Sequence, residues 1–422
     1  MRFENMLHQV RLAGLLLLAI APVAVGQKYI GAGGCASSNC HGGTSNAEEK
    51  DSRIWGNEYA IWQLNDKHSK ASKVLMEPRS KRMAEILRIA NPLTDVRCTS
   101  CHAAGSPEKA ANDGVACEAC HGAAEKWLGT HTQANSHAAS VAAGMVDTKN
   151  LRLRAANCLE CHMGSKDRVV DHELYAAGHP DLNFELDTFT WAQPVHHRQV
   201  KASAGNTLPR VRAWAVGQAA GLAEGMKLLG MRAGKNWPEF AELECYQCHH
   251  DLRQDSWRLE RGYGGRKPGS LQLNMARSEV LRVLVAQLAP DMRGAVDAAL
   301  HEVAMTVSTQ LGNGAAVQRA AQKAAGVGDQ LAARFAQADF TPENAKAVVR
   351  SLTGDINRIA DGGVHAAEVA TMSLDSLSAA IMGNNAGAQQ SMAPLYDYLE
   401  HPSVYTPAGF AALFRKAAGA VN

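Results

Sequence analysis

Ten cysteines and the histidines beside them carry the chemistry legible in this chain of 422 residues. Three runs lie close together: Cys98-Thr-Ser-Cys101-His102, Cys117-Glu-Ala-Cys120-His121 and Cys158-Leu-Glu-Cys161-His162. A fourth, Cys245-Tyr-Gln-Cys248-His249, follows later, and a variant with four residues between Cys35 and Cys40, then His41, comes first. All ten cysteines fall into these five pairs, and a histidine directly follows each pair. Paired thiols would suit a tetrahedral zinc site or, in an exported chain, a disulfide framework. Neither explains a histidine after every second cysteine. Covalent attachment of haem c does, because two thiols add to the porphyrin vinyl groups and the adjoining imidazole becomes an axial ligand of the iron. The expectation is five haem c groups, with His41, His102, His121, His162 and His249 as proximal ligands.

Each iron then needs a sixth ligand or keeps an open face. Of the 17 histidines, five are proximal and His8 lies near the N-terminus. Eight of the other eleven precede residue 270: His68, His131, His137, His172, His179, His196, His197 and His250. A second imidazole on an iron gives a stable electron carrier. Their number exceeds the five positions to be filled, so counting alone does not assign them or show whether an iron is open. His301 and His365 have no accompanying motif and read as satisfied or exposed side chains.

Two segments resemble the cytochrome c554 family of multihaem cytochromes. Trp62-Gln-Leu-Asn-Asp-Lys-His68-Ser-Lys-Ala71 is similar to that family's W-x5-H-A-K-A helix, and Gly114-Val-Ala-Cys117-Glu-Ala-Cys120-His121-Gly122 to its G-V-x-C-E-x-C-H-G segment. The likeness covers roughly residues 30–165. It implies that His131 is the distal ligand of the Cys35/Cys40 haem and that His68 serves the Cys117/Cys120 haem. It also implies that the haem at Cys98, Cys101 and His102 has an open or weakly occupied sixth site. Ala176-Ala-Gly-His179-Pro180 and Pro194-Val195-His196 resemble segments of longer relatives and imply His179 and His196 as distal ligands, His179 at the Cys158/Cys161 haem. The chain departs from the family in the spacing at Cys35–Cys40, the fifth motif and the long C-terminal part.

The elements that must hold these groups are mainly α-helical, with little regular sheet. Residues 1–26 read as a signal peptide: Arg2 and Arg11 precede an apolar run, Leu12 to Ile20, too short to span a bilayer, and Ala24-Val25-Gly26 offers a cleavage site. Residues 27–270 read as a pentahaem cytochrome c domain, in which haems replace a conventional core because so little chain surrounds each one. Trp55 and Trp62, seven apart, read as core packing on one helix face. A helix is expected from about Pro209 to Arg232, proline first. Residues 271–422 are Ala-rich and Cys-free and read as a helical bundle. There, Val280, Leu281, Leu284, Val285 and Leu288 recur at helical spacing before Pro290; Thr341-Pro342 and Thr406-Pro407 mark helix starts; Gly362-Gly363 marks a stop.

Charge excludes some functions. Lys and Arg total 43 against 41 Asp and Glu, a net of +2, so nucleic acid is not an expected partner. Ten haem propionates would make the holoprotein more acidic and give some arginines carboxylate partners. The expected function is a periplasmic electron carrier that meets redox partner proteins, touches membranes only indirectly and has the bundle as a possible homo-oligomer contact. The alternative is a multihaem oxidoreductase acting on a small nitrogen or sulfur compound at an open Cys98/Cys101/His102 haem. All five motifs end in His, which counts against a pentahaem nitrite reductase, where Lys replaces it at the active haem.

Overall fold

In a computed structural model, the described residues are 27–44, 56–105, 113–196, 208–249, 267, 269–383 and 386–421. The expected signal peptide, Trp55, His197 and His250 lie outside them. The described chain is helical throughout, and its one β-type pairing is an isolated antiparallel bridge between Leu243 and Leu273. No described helix is long and apolar enough to cross a membrane.

Up to residue 196 the helices are short, and four of the five motifs sit on or beside them. Val96–His102, Cys117–His121 and Leu151–His162 each end on the motif histidine. A helix places residues i, i+3 and i+4 on one face, so C-x-x-C-H turns both thiols and the imidazole the same way. The first motif cannot do this within one helix. Its helix Ala32–Cys35 stops at the first cysteine, and a turn follows in which the backbone N–H groups of Cys40 and Gly42 both donate to Ser37 O. That turn absorbs the two additional residues.

The second half is the expected bundle, and its helix ends fall where the sequence places them. Ala276–Leu288 stops before Pro290. Thr341 and Asn344 form a reciprocal cap on Pro342–Gly354, and Thr406 accepts from Gly409 N–H at the start of Pro407–Gly419. Gly363, with φ of 88°, breaks the chain between Ile356–Asp361 and Val364–Met382. Val364–Met382 is buried nearly all round and runs through the middle of the bundle.

The long helix Pro209–Ala233 falls within the span read as the haem domain, yet Val211, Trp214, Leu222 and Leu229 belong to the bundle's apolar core. It joins the two halves. Leu228 on one side packs with Leu159 and Met163 of the motif region, and Ala220 packs with Ala155 and Leu186. Arg152 bridges the halves with Nη2 at 2.5 Å from both Glu224 and Asp329.

Pro209–Ala233 and Gly314–Gln337 cross closely: a Cβ on Gly328 would lie 2.7 Å from Ala223 N. Gly326, on the same helix, is exposed and has nothing near its missing Cβ. Gly328→Ala is therefore expected to cost about 1–3 kcal/mol by overpacking. Gly326→Ala should instead gain about 0.5–1 kcal/mol from helix propensity. Denaturation midpoints moving in opposite directions would bear this out; two stabilised variants would refute the close crossing.

Candidate functional site

The residues up to 196 contribute almost nothing to the main apolar core. Their apolar side chains instead line a cavity of about 1830 Å³, larger than the 300–1,000 Å³ usual for one small ligand. The cysteines and histidine of the first four motifs all reach it, and so do His68, His131, His179 and His196. Trp127 and Phe184 supply flat apolar wall.

Neighbouring motifs approach one another through their sulfurs. The Cys35 and Cys117 thiols share a hydrogen bond, which draws Cys35 down to about 7 and pushes Cys117 up. Cys101 and Cys161 share another, with the same division. Burial raises Cys120 to about 11, and the Cys161 sulfur adds to that rise. The four motifs thus follow one another in space as Cys35/Cys40, Cys117/Cys120, Cys158/Cys161 and Cys98/Cys101.

Each of four motif histidines faces a histidine from elsewhere in the chain. Ring centroids are 6.3 Å apart for His41 and His131, 6.1 Å for His68 and His162, 6.4 Å for His102 and His179, and 6.2 Å for His172 and His249. The angles between ring planes run 17°, 88°, 73° and 29° in the same order. Other tilted or edge-on ring pairs range from 4.9 Å for Phe184 and Phe189 to 6.4 Å for Tyr175 and His179. The histidine separations are of the size that a metal held by one nitrogen of each ring would need. Two metal–imidazole bonds of about 2.0 Å, plus about 1.1 Å from each nitrogen to its ring centre, give about 6.2 Å.

The hydrogen bonds fit the same chemistry. A metal-bound imidazole usually donates its other ring N–H to a carboxylate or carbonyl. His41 donates through Nδ1 to Glu58 at 3.1 Å, His68 to Asp66 at 3.0 Å, His102 to Ala71 O at 3.0 Å and His179 to Pro180 O at 2.8 Å. His131 does so to Leu128 O, and His196 to Pro194 O at 3.2 Å. In every one of these, Nδ1 is the tethered nitrogen. His137 is built the other way round, with Nε2 at 3.1 Å from Asp147, and His365 uses Nε2 on Asp181 at 2.8 Å. These two are satisfied structural histidines.

The resemblance segments have physical work to do here. A Cβ on Gly114, whose φ is 58°, would lie 2.4 Å from His68 O, so glycine lets the chain pass beneath the His68 turn. Val115 N–H donates to His68 O at 2.8 Å, and Trp62 Nε1 donates to Val115 O at 3.0 Å. Buried Glu118 accepts the backbone N–H groups of Ile30, Gly31 and Ala124, which clamps the first motif's approach onto the Cys117 helix. Asp66 caps the 3₁₀ turn Lys67–Lys70 and accepts both N–H groups of His68. Burial pushes its carboxyl up, but those bonds outweigh burial and hold it below its ordinary value.

Two pairings differ from those the resemblance implies. His68 faces His162, not the histidine of the Cys117/Cys120 motif. His179 faces His102, not the Cys158/Cys161 motif, so the site expected to be open has an imidazole opposite it. The cause lies in the chain path: Ala71 O holds His102, and Arg79 donates to Gly178 O at 3.0 Å through Nε, which brings His179 to the Cys98 motif. His131 does face His41, as the resemblance implies. His196 lies near Asp66, whose charge also reaches Cys120, and so stands on the Cys117/Cys120 side of the cavity. His172, facing His249, is the residue that sequence reasoning left unassigned.

Two more groups fit bound haem. Trp127 Nε1 is buried with no hydrogen-bond partner among the described residues, and its ring lies 5.3 Å from His131. Arg154 lines the cavity, donates to Thr148 O at 2.6 Å, and is lowered by burial. Among the described residues it has no carboxylate in ion-pair reach, which suits it to a propionate.

Residues 35–122, about a fifth of the chain and its first three cysteine pairs, match the family model for cytochrome c554 and c-prime. No curated protein and no solved structure matches the chain.

One buried carboxyl beside the cavity gives a pH signature. Glu185 is fully buried at the start of Leu186–Ala192, and burial, then the charge of Asp187, pushes it up to about 8. A carboxyl raised on folding contributes stability that is complete below its unfolded value of about 4.5 and lost as pH rises through about 8. Urea unfolding at intervals over that range should show stability falling with pH, and Glu185→Gln should flatten the fall. An unchanged slope in the variant would show that Glu185 is ionised in the native state without penalty.

Proposed function

Starting from a chain that is a c-type cytochrome of electron transfer, with the cytochrome c554 pattern in residues 35–122, we propose that it relays electrons through five covalently bound haems in the periplasm. The observation that carries this is the set of motif histidines matched by second imidazoles at one separation. Haem c, when bound, supplies an iron that accepts and gives up one electron. The chain's part is to fix that iron on both sides. His41, His102, His162 and His249 stand on the attachment side. His131, His179, His68 and His172 stand opposite them. His121 belongs to the remaining site, and His196 is the candidate opposite it. Tethered rings such as His41, His131, His68, His102 and His179 would hold such an iron with little movement when its charge changes, which suits a carrier.

The order of the motifs in the cavity supports a relay and not a set of independent centres. Successive thiol pairs are neighbours, two of the three steps through a shared hydrogen bond, so the groups they would hold are neighbours too. The leader-like residues 1–26 support export, and haem attachment by such motifs fits an exported chain. On this reading the partners are redox proteins of the same compartment, and the bundle is the scaffold that holds the cavity walls. The enzymatic alternative needs an open iron at His102, and the nearness of His179, at 6.4 Å, favours the carrier reading over it.

The test is a haem count with a carbon monoxide difference spectrum of the dithionite-reduced protein. The expected outcome is five haems per chain and no carbon monoxide response. His131→Ala should keep five haems and gain a response equal to one of them, while His137→Ala should stay silent. A response in the unaltered protein would mean an open iron and revive the enzymatic reading. A count of four would remove one attachment site.

A further inference from the structure

The fifth motif lies apart from the other four, and the resemblance implies no distal ligand for it. Neither Cys245, Cys248 and His249 nor His172 lines the main cavity. We infer that His172 is the second axial ligand of the Cys245/Cys248 haem and that this site adjoins the His102–His179 pair as the outer member of the relay. The inference rests on the multihaem reading above.

Three contacts build the site. The His172 and His249 rings stand 6.2 Å apart at 29°, the separation shared by the three pairs inside the cavity. Glu239, six residues before Cys245, accepts the backbone N–H of His172 and that of Ala241, both at 3.0 Å. The loop entering the fifth motif is thereby clamped to the first turn of the helix His172–Ala176. Phe240 lies edge-on to His172 at 5.7 Å and supplies an apolar flank. A second clamp acts one step back: Arg232 pairs with Glu242 and donates to Val170 O, two residues before His172.

The same helix ties the site to the rest of the relay. Asp171 and Glu173 flank His172, and each lies 3.5 Å from Arg97, the residue directly before Cys98. His179, past the end of the helix, stands against His102. One short stretch, residues 171–179, thus carries an imidazole for each of two neighbouring sites. Cys245, Cys248, His172 and His249 are exposed, whereas the cysteines of the Cys98, Cys117 and Cys158 motifs are not. The fifth site is at the surface, where an electron can pass to or from another protein.

The bland account is that two exposed histidines merely stack. It predicts no change at any haem when His172 is replaced. The experiment uses full-length holoprotein with His172→Ala and His172→Met. The haem count should stay at five, because thioether attachment needs only the cysteines. The alanine variant should bind carbon monoxide at one haem in five after reduction, lose one low-spin signal, and recover it with added imidazole. The methionine variant keeps a sixth ligand and should raise the potential of one haem in a redox titration, since methionine in place of histidine raises it. Should the alanine variant not fold, the methionine variant decides. Five haems with an unchanged spectrum and titration would overturn the assignment of His172 and leave the relay standing. Four haems in the unaltered protein, with Cys245 and Cys248 unmodified, would overturn the fifth attachment itself.

Discussion

The near-constant separation of paired imidazoles is the constraint that the rest of the motif region obeys. A histidine side chain has two free torsions, and a surface one samples several rotamers. Holding two of them at about 6 Å, four times over, requires the rings to be fixed, which a tethered Nδ1 achieves for His41, His131, His68, His102 and His179. The short helices, the Asp66 cap, the Gly114 turn and the Glu118 clamp are the means of fixing them. Glu118 shows the cost of the arrangement. A buried carboxylate is tolerated only because three backbone N–H groups satisfy it, and charge-assisted bonds of this kind are stronger than neutral ones.

A region organised around a cavity cannot stabilise itself in the ordinary way. Its apolar side chains face the space between the rings, so little of the burial that normally drives folding is available from protein atoms alone. The bundle offsets this. Its core is continuous and reaches the motif region through the long helix Pro209–Ala233 and through polar links at the boundary. Arg152 joins Glu224 and Asp329 across it. Asp187, beside the cavity, meets Arg210 at 2.7 Å and receives Ser376 Oγ at 2.8 Å from the middle of the bundle.

What was legible in the sequence is what is local. Five C-x(n)-C-H runs, the proline and threonine helix starts and the Gly362-Gly363 break all act within a few residues, and the structure places the described helix ends there. The pairing of distal histidines is not local. His68 meets His162 because Asp66 and Val115 fix the His68 turn, and His179 meets His102 because Arg79 and Ala71 bring two distant stretches together. Nothing in the spacing encodes those contacts. A partial signal existed in Asp66, two residues before His68 and able to take its Nδ1–H. For His172 the signal was weaker still, two flanking acids that pair with Arg97. The membership of Pro209–Ala233 in the bundle core was hidden for a related reason. Its alanines and glycines mark a helix that packs closely, but not against which neighbour.

The tethers also differ in charge, and on the multihaem reading that difference would make the sites unequal. His41 donates to Glu58, and His68 to Asp66. A carboxylate makes its ligand more basic and favours the oxidised, more positive iron. The carboxylate beside His41 in turn raises the pKa of that imidazole. His102 and His179 are tethered only to the carbonyls of Ala71 and Pro180, and burial lowers His179. Less negative charge beside an iron favours its reduced state. His162 sits between these regimes, drawn down to about 4 by burial against Phe184 and Phe189 yet facing the Asp66-tethered His68. On that reading, the carboxylate tethers of His41 and His68 would favour the oxidised state of the groups they hold more than the carbonyl tethers of His102 and His179 would.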